Sequence, residues 1–457
     1  MERLSPLDAA FLEIEDEDRN SSLAIASVAV VEGPVPRQED FVAAVVARLP
    51  GIPRYHQKIR QVPFDLGPPG WVDDPAFDPA GHFGRIALPS PHDENALCEL
   101  VALLMNERLE RDRPLWEFWV IEGLPEGRWA ILSKVHHALA DGVSATKLQT
   151  ILFGDNPPIL ATRPTDAADP GGVSLLLHAV GALLTNPFEQ AGYLVKSLFH
   201  PHRLARRVSD VARGLAAMTT ALLPVAPSSL TGPIGRDRRY AIAEVSLADV
   251  KAAAKAFQVT VNDVLLAAVS GGFRELLLQR GEEPAADSVR TLVPVSVRTT
   301  GAESTVDNEV SLLLPLLPVD VADPVQRLIR VHRRLGSLKA TKEADAGALL
   351  TASAGHEPFA GIAWAIRAAA HLPQRNIVTV TTNIPGPRKP LSVLGREIVA
   401  MYPYVPIALR LRTGVAMLSY AGRVFFGITS DADSVPDTRV LAKAIERDVL
   451  ALRGAAR

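Results

Sequence analysis

His136-His137-Ala138-Leu139-Ala140-Asp141-Gly142 is the stretch on which the reading of this chain turns. Its fixed positions, His136, His137, Asp141 and Gly142, form an HHxxxDG pattern. Ordinary residue usage would produce it by chance on the order of once in a thousand chains of this length. Upstream, residues 129–135 read as a strand bounded by the turn-forming Pro125-Glu126-Gly127. Downstream, Asp141-Gly142 reads as the opening of a helix running to about Phe153, Asp being a favoured N-cap. The motif is therefore expected at the rigid end of a strand, where a loop can face a cleft.

Acyl transfer from a thioester to an alcohol suits such a site. A base must take the hydroxyl proton, and the unperturbed pKa of His lies near neutrality. The ring must be held in one tautomer and one orientation, and a donor must stabilise the oxyanion of the tetrahedral intermediate. On this reading His137 is the base and His136 packs or hydrogen-bonds beside it. Asp141 fixes the loop through an ion pair, and Gly142 permits a tight turn. The alternatives are a metal site, although no third ligand has suitable spacing and the pattern is not HExxH, and a purely structural His pair with an Asp cap.

The 457-residue chain is too long for one ordinary core, so two units of comparable size are expected. A hydrophobic fraction of 47% against 22% charged residues is a globular composition. The net charge of -3 lacks the basic excess of a nucleic-acid binder. The single cysteine, Cys98, can form no intrachain disulfide, which fits a reducing cytosol. It lies within the helical pattern Leu97-Cys98-Glu99-Leu100-Val101 and reads as packing rather than as a nucleophile. No signal peptide is readable, and no stretch reaches the roughly 18 uncharged apolar residues of a membrane span. The protein is expected to be soluble or to lie on a membrane surface.

Working outward, 22–31 reads as a strand and 39–49 as a helix. Leu97, Leu100, Val101, Leu104 and Leu109 mark one face of a helix ending before Pro114. A loop at 155–171 leads into an apolar region at 173–223 whose polar positions lean basic, with Lys196, Arg203, Arg206, Arg207 and Arg213, and a second loop spans 224–235. The division drawn is an N-terminal lobe over 1–160, a helical crossover over 161–235 and a C-terminal lobe over 236–457. In the last, helices are expected at 246–257, 261–279, 324–339 and 437–453, and strands at 290–297 and 308–317. A hairpin is expected from 415–420 and 424–428. The whole is an α/β or α+β mixture.

At the HHxxxDG stretch the chain resembles the bacterial wax ester synthase/diacylglycerol acyltransferase family, and the resemblance extends over nearly its whole length. Leu4-Ser5-Pro6-Leu7-Asp8 with Phe11 is similar to the family's opening, and Pro53-Arg54-Tyr55 with Lys58 to its next segment. Pro114-Leu115-Trp116-Glu117 resembles its PLW motif and Val261-Asn262-Asp263-Val264-Leu265 its ND motif. Val293-Pro294-Val295-Ser296-Val297-Arg298, Asn383-Ile384-Pro385-Gly386-Pro387 and the run from Gly427 through Asp431 to Pro436-Asp437 resemble later blocks. Several motifs in the right order are far more specific than one.

The resemblance implies two chloramphenicol-acetyltransferase-like lobes, mixed sheets flanked by helices, with an active-site channel between them, as in condensation domains. It puts the base on His137 and makes Arg298 the best-matching ion-pair partner for Asp141, a structural role. Asn262 and Asp263 carry over as functional, Asn262 as a donor near the reacting carbonyl. Helix capping by either is the competing reading. Pro114, Leu115, Trp116 and Asn383 are carried as substrate-side candidates, Pro114 and Trp116 alternatively as packing. The implied substrates are acyl-CoA and diacylglycerol or a long-chain alcohol, with no cofactor, metal or nucleic acid.

Such amphiphiles imply a lipid surface: a cytoplasmic protein peripheral to the inner membrane or lipid droplets, with 173–215 as the amphipathic, basic contact or else a crossover helix packed on the lobes. Arg236, Arg238 and Arg239 are candidates for coenzyme A phosphates. Asp307-Asn308 and the centre of Tyr402-Pro403-Tyr404-Val405-Pro406 depart from the family pattern, which bears on channel shape and acceptor choice. A wax ester synthase and a non-catalytic lipid-droplet protein of the same fold are the competing functions.

Overall fold

The computed structural model describes residues 2–63, 67–139, 142–154, 225–296, 310–340 and 376–456. In chain order the first part runs β1 (Glu2–Arg3), α1 (Pro6–Glu17), β2 (Ala24–Val31), α2 (Gln38–Val46), β3 (Gln57–Arg60), β4 (Gly70–Asp73), β5 (Phe83–Ala87), α3 (Glu94–Asn106), β6 (Trp116–Glu122), β7 (Trp129–His136) and α4 (Gly142–Phe153). The second runs β8 (Arg238–Ser246), α5 (Leu247–Ala256), α6 (Val261–Gln279), β9 (Thr291–Ser296), β10 (Val310–Leu313), α7 (Pro324–Ala340), β11 (Thr379–Pro385), β12 (Ser392–Val393), β13 (Arg396–Tyr404), β14 (Thr413–Tyr420), β15 (Arg423–Asp431) and α8 (Thr438–Ala455).

Two six-stranded mixed sheets organise these elements, ordered β12-β13-β2-β7-β6-β5 and β10-β9-β11-β14-β15-β8, with β1, β4 and β3 in a small third sheet. All eight residues of β7 are buried, because the strand lies inside its sheet with both faces covered. Its side chains alternate between two cores: Trp129, Ile131 and Val135 pack on one face, Ala130 and Leu132 on the other. Lys134 is the charged exception. Burial pushes its pKa down, and its ammonium donates to the carbonyls of Leu104 (2.9 Å) and Glu107 (2.7 Å) at the end of α3.

The C-terminal segment 236–457 is not a self-contained lobe. Its strand β13 leaves to pair with β2 in the first sheet, Tyr404 opposite Ala26 and Tyr402 opposite Val28. The sheets touch where β13 meets β15: a Cβ at Gly427 would overlap the carbonyl of Pro403, and that carbonyl accepts from Tyr240 Oη at 2.9 Å. Leu418, Tyr420 and Phe425 of the second sheet also enter the first lobe's core. The two lobes are thereby welded along a seam. In the second lobe, Gly271 lets α6 approach α8, leaving room for the buried Arg327–Asp448 ion pair. No single helix among the described residues is long and apolar enough to cross a membrane.

Candidate active site

The HHxxxDG stretch begins where expected, at the end of β7. His136 is the strand's last residue and pairs with Ala24 of β2; His137 starts the turn that follows. Both backbones are held. The N–H of His136 donates to the carbonyl of Leu115 and that of His137 to the carbonyl of Leu23, each at 3.0 Å. The rings diverge. His136 is 1% exposed, and its Nδ1 accepts the Ala138 N–H at 3.1 Å, which places the ring proton on Nε2. Nε2 lies 3.5 Å from Glu15 Oε2. The His137 ring is half-buried and stacks on Phe11, centroids 4.0 Å apart at 29°.

Glu15, which carries no motif, is the hub of this pocket. Its carboxylate accepts from the Leu23 N–H (2.9 Å) and Arg111 (2.9 Å) as well as facing His136. Burial by itself would raise its pKa, but His136, Arg111 and the Leu23 N–H outweigh burial and hold it at about 2. Its only sequence signal is a carboxylate one turn after Phe11, in the acidic run Glu13-Ile14-Glu15-Asp16-Glu17.

Asn262 and Asn383 come together across α6 and β11: Asn383 Nδ2 donates to Asn262 Oδ1 at 3.1 Å, and both are half-buried. Asp263 is buried and works otherwise. It accepts the Thr260 N–H (2.9 Å) while Thr260 Oγ1 accepts the Asp263 N–H (3.2 Å), a capping box in which Thr260, and neither Asn262 nor Asp263, is the N-cap. Its carboxylate also meets His332 Nδ1 at 2.8 Å. The strand β11, which carries Asn383, packs on α4, the helix that follows the His loop. Asp141 and Arg298, and with them the expected ion pair, lie outside the described residues, as do 173–215 and Asp307-Asn308; Gly142 is the first residue of α4.

Residues 4–265 match the wax ester synthase/diacylglycerol acyltransferase catalytic domain and 306–453 the C-terminal domain of the same family. The chain belongs to this family. A relative from Mycobacterium tuberculosis, named as the diacylglycerol O-acyltransferase tgs1, is 47% identical over 460 residues, covering 99% of this chain and 96% of its own. A second M. tuberculosis protein named as a diacylglycerol O-acyltransferase is 36% identical, covering 99% of this chain and 91% of its own. Among solved structures, the wax ester synthase/diacylglycerol acyltransferase of Marinobacter aquaeolei superposes with a TM-score of 0.66 at 25% identity over 99% of each chain. The first condensation domain of the calcium-dependent antibiotic synthetase shares the fold, with a TM-score of 0.60 at 17% identity over 99% of this chain and 96% of that one.

The PLW residues pack inside the first lobe. Pro114, Leu115 and Trp116 are all buried, and Trp116 begins β6 rather than a loop. Its ring stacks between Tyr55 (4.9 Å) and His82 (4.2 Å), and its indole N–H donates to the Tyr55 carbonyl at 3.0 Å. The motif reaches the site through the Leu115 carbonyl that holds His136. Arg236, Arg238 and Arg239 all have partners within the protein. Arg238 is 7% exposed, tied to the carbonyls of Asn20 and Gly235 and 3.7 Å from Asp431, so it bridges the lobes. Arg236 pairs with Glu107 and Arg239 with Glu99. Cys98 is buried in α3, and burial pushes its thiol up to about 12, which suits packing and not nucleophilic attack. Among the described residues, no three His, Cys, Asp or Glu side chains gather as metal ligands.

Proposed function

We propose that this chain moves a long-chain acyl group from acyl-CoA to the free hydroxyl of diacylglycerol, giving triacylglycerol, with His137 as the general base. The observation that carries the proposal is the His137 ring: half-buried, stacked on one face, on a strand-end turn whose backbone is pinned by Leu23 and Leu115. Such a ring can take the hydroxyl proton as the oxygen attacks the thioester carbonyl. The tetrahedral intermediate then collapses, the C–S bond breaks, and His137 returns the proton to the leaving coenzyme A sulfur. Asn262 is the proposed donor to the oxyanion. Asn383 occupies its Oδ1, which leaves the amide NH2 as the end available to an acceptor.

Diacylglycerol is the acceptor that the names of the relatives at 47% and 36% identity support. Both substrates are amphiphiles, so the reaction is placed at a lipid surface, either the cytoplasmic face of the inner membrane or a lipid droplet. The basic, apolar stretch 173–215 is suited to such contact.

Purified protein incubated with labelled palmitoyl-CoA and either diolein or hexadecanol tests the reading. Labelled triacylglycerol forming faster than labelled wax ester is the expected result. The reverse order would reassign the chain as a wax ester synthase. No ester with either acceptor would leave the non-catalytic lipid-droplet protein as the surviving reading.

A further inference from the structure

We propose that helix α1 is a clamp that aims the base, with Phe11 and Glu15 as its two positioning residues. The inference rests on His137 being the base. The two residues are one helical turn apart and so present to the same side of α1. Phe11 lies flat on the His137 ring at 4.0 Å, and Glu15 faces the neighbouring imidazole of His136 at 3.5 Å. Glu15 also takes the N–H of Leu23, and the carbonyl of that same Leu23 takes the N–H of His137. Three links thus run from one helix face to the reacting imidazole: ring to ring, carboxylate to the adjacent ring, and carboxylate through Leu23 to the backbone.

Each link suits its task. Backbone hydrogen bonds place the Cα of His137, contacts to the ring itself set its orientation, and a base must point its lone pair at the hydroxyl. That lone pair lies in the ring plane, so an aromatic partner on the ring's face restricts rotation without obstructing proton transfer. A carboxylate is the right group at position 15 because the Leu23 N–H, Arg111 and the Nε2–H of His136 all present donors, and an ionised carboxylate is acceptor-only. Arg111 in turn bonds Asp16 (2.8 Å) and the Leu12 carbonyl (3.2 Å), which fixes α1 itself to the segment leading into β6.

The test is steady-state kinetics with palmitoyl-CoA and diolein on Phe11→Leu, Phe11→Tyr and Glu15→Gln, beside His137→Ala. Loss of aim lowers kcat and leaves substrate binding alone, so Phe11→Leu is expected to lose about tenfold in kcat with both KM values within about twofold of the parent. Phe11→Tyr keeps the stack and is expected to recover most of the loss, and Glu15→Gln to lower kcat in the same sense as Phe11→Leu. Phe11→Met, with the same expected fall, replaces Phe11→Leu should the latter not fold. Parent-like kcat in the non-aromatic variant overturns the clamp. So does a loss carried by KM, or a Tyr variant no better than Leu. An inactive His137→Ala beside an unaffected Phe11→Leu sinks the clamp alone, whereas an active His137→Ala sinks the base assignment and the clamp together.

Discussion

His136-His137 at the end of β7 and Asn262-Asp263 at the start of α6 are both adjacent polar pairs at the tip of a rigid element, one in each lobe. In each pair one member is buried and bonded into its own lobe. His136 is held by the Ala138 N–H and Glu15, Asp263 by Thr260 and His332. The other member, His137 or Asn262, is half-buried and meets a partner on a different element, Phe11 or Asn383. The means differ. In the first lobe the buried member leans on a charged network, Glu15 with Arg111, whereas in the second it closes a hydrogen-bonded helix cap. The comparison teaches that half of each two-residue motif is scaffold. A buried neighbour turns its own fixed position into the aim of the residue beside it.

The largest effect should come from the half-buried member of the first pair. His137→Ala is expected to lower turnover at least about a hundredfold, the scale of a lost general base, with little change in melting temperature. Near-parent turnover would break the division of roles at its strongest point. Next comes the charge that holds the buried half. Glu15 has a folded pKa depressed to about 2 from an ordinary 4.5, so its contribution is present above about pH 4.5 and lost as pH falls towards 2. A depression of that size corresponds to on the order of 3 kcal/mol. The stability gap between the parent and Glu15→Gln should therefore be full at pH 6 and shrink below about pH 4.5, as read from denaturant melts. A gap constant with pH would show that the carboxylate's charge is not what secures His136.

Much of this was legible in the residues themselves. The strand before His136, the helix over 261–279 and the hairpin of β14 and β15 follow from local pattern and turn chemistry. The strands β6, β8, β11 and β13 were not read. β6 starts two residues after Pro114, which suggests a loop, and β13 carries Pro403 and finds its partner, β2, more than 350 residues away in sequence. Local periodicity cannot report a pairing of that range. Glu15 was invisible for the same reason, since its partners lie at positions 23, 111 and 136. The PLW motif is legible, and Trp116 packs as one of its two readings expects. What the site uses is the backbone carbonyl of Leu115, which no side-chain pattern encodes.

The smallest effects should separate the halves of the second pair, and they sharpen the comparison most. Asp263→Ala removes one side of the capping box and the partner of His332, which should lower stability by about 1–2 kcal/mol. Asn262→Ala removes one hydrogen bond at a half-buried position that water can reach, so its stability change should stay under about 1 kcal/mol. Turnover should rank them the other way. Asn262→Ala is expected to lose about tenfold in kcat, the low end for an oxyanion donor, and Asp263→Ala less once folded protein is counted. Thermal melts and kcat measured on the same preparations check both orders at once. If Asn262→Ala melts lower than Asp263→Ala, or turns over faster, the second lobe does not divide its pair as the first does, and adjacency at the tip of a rigid element is a device of the His loop alone.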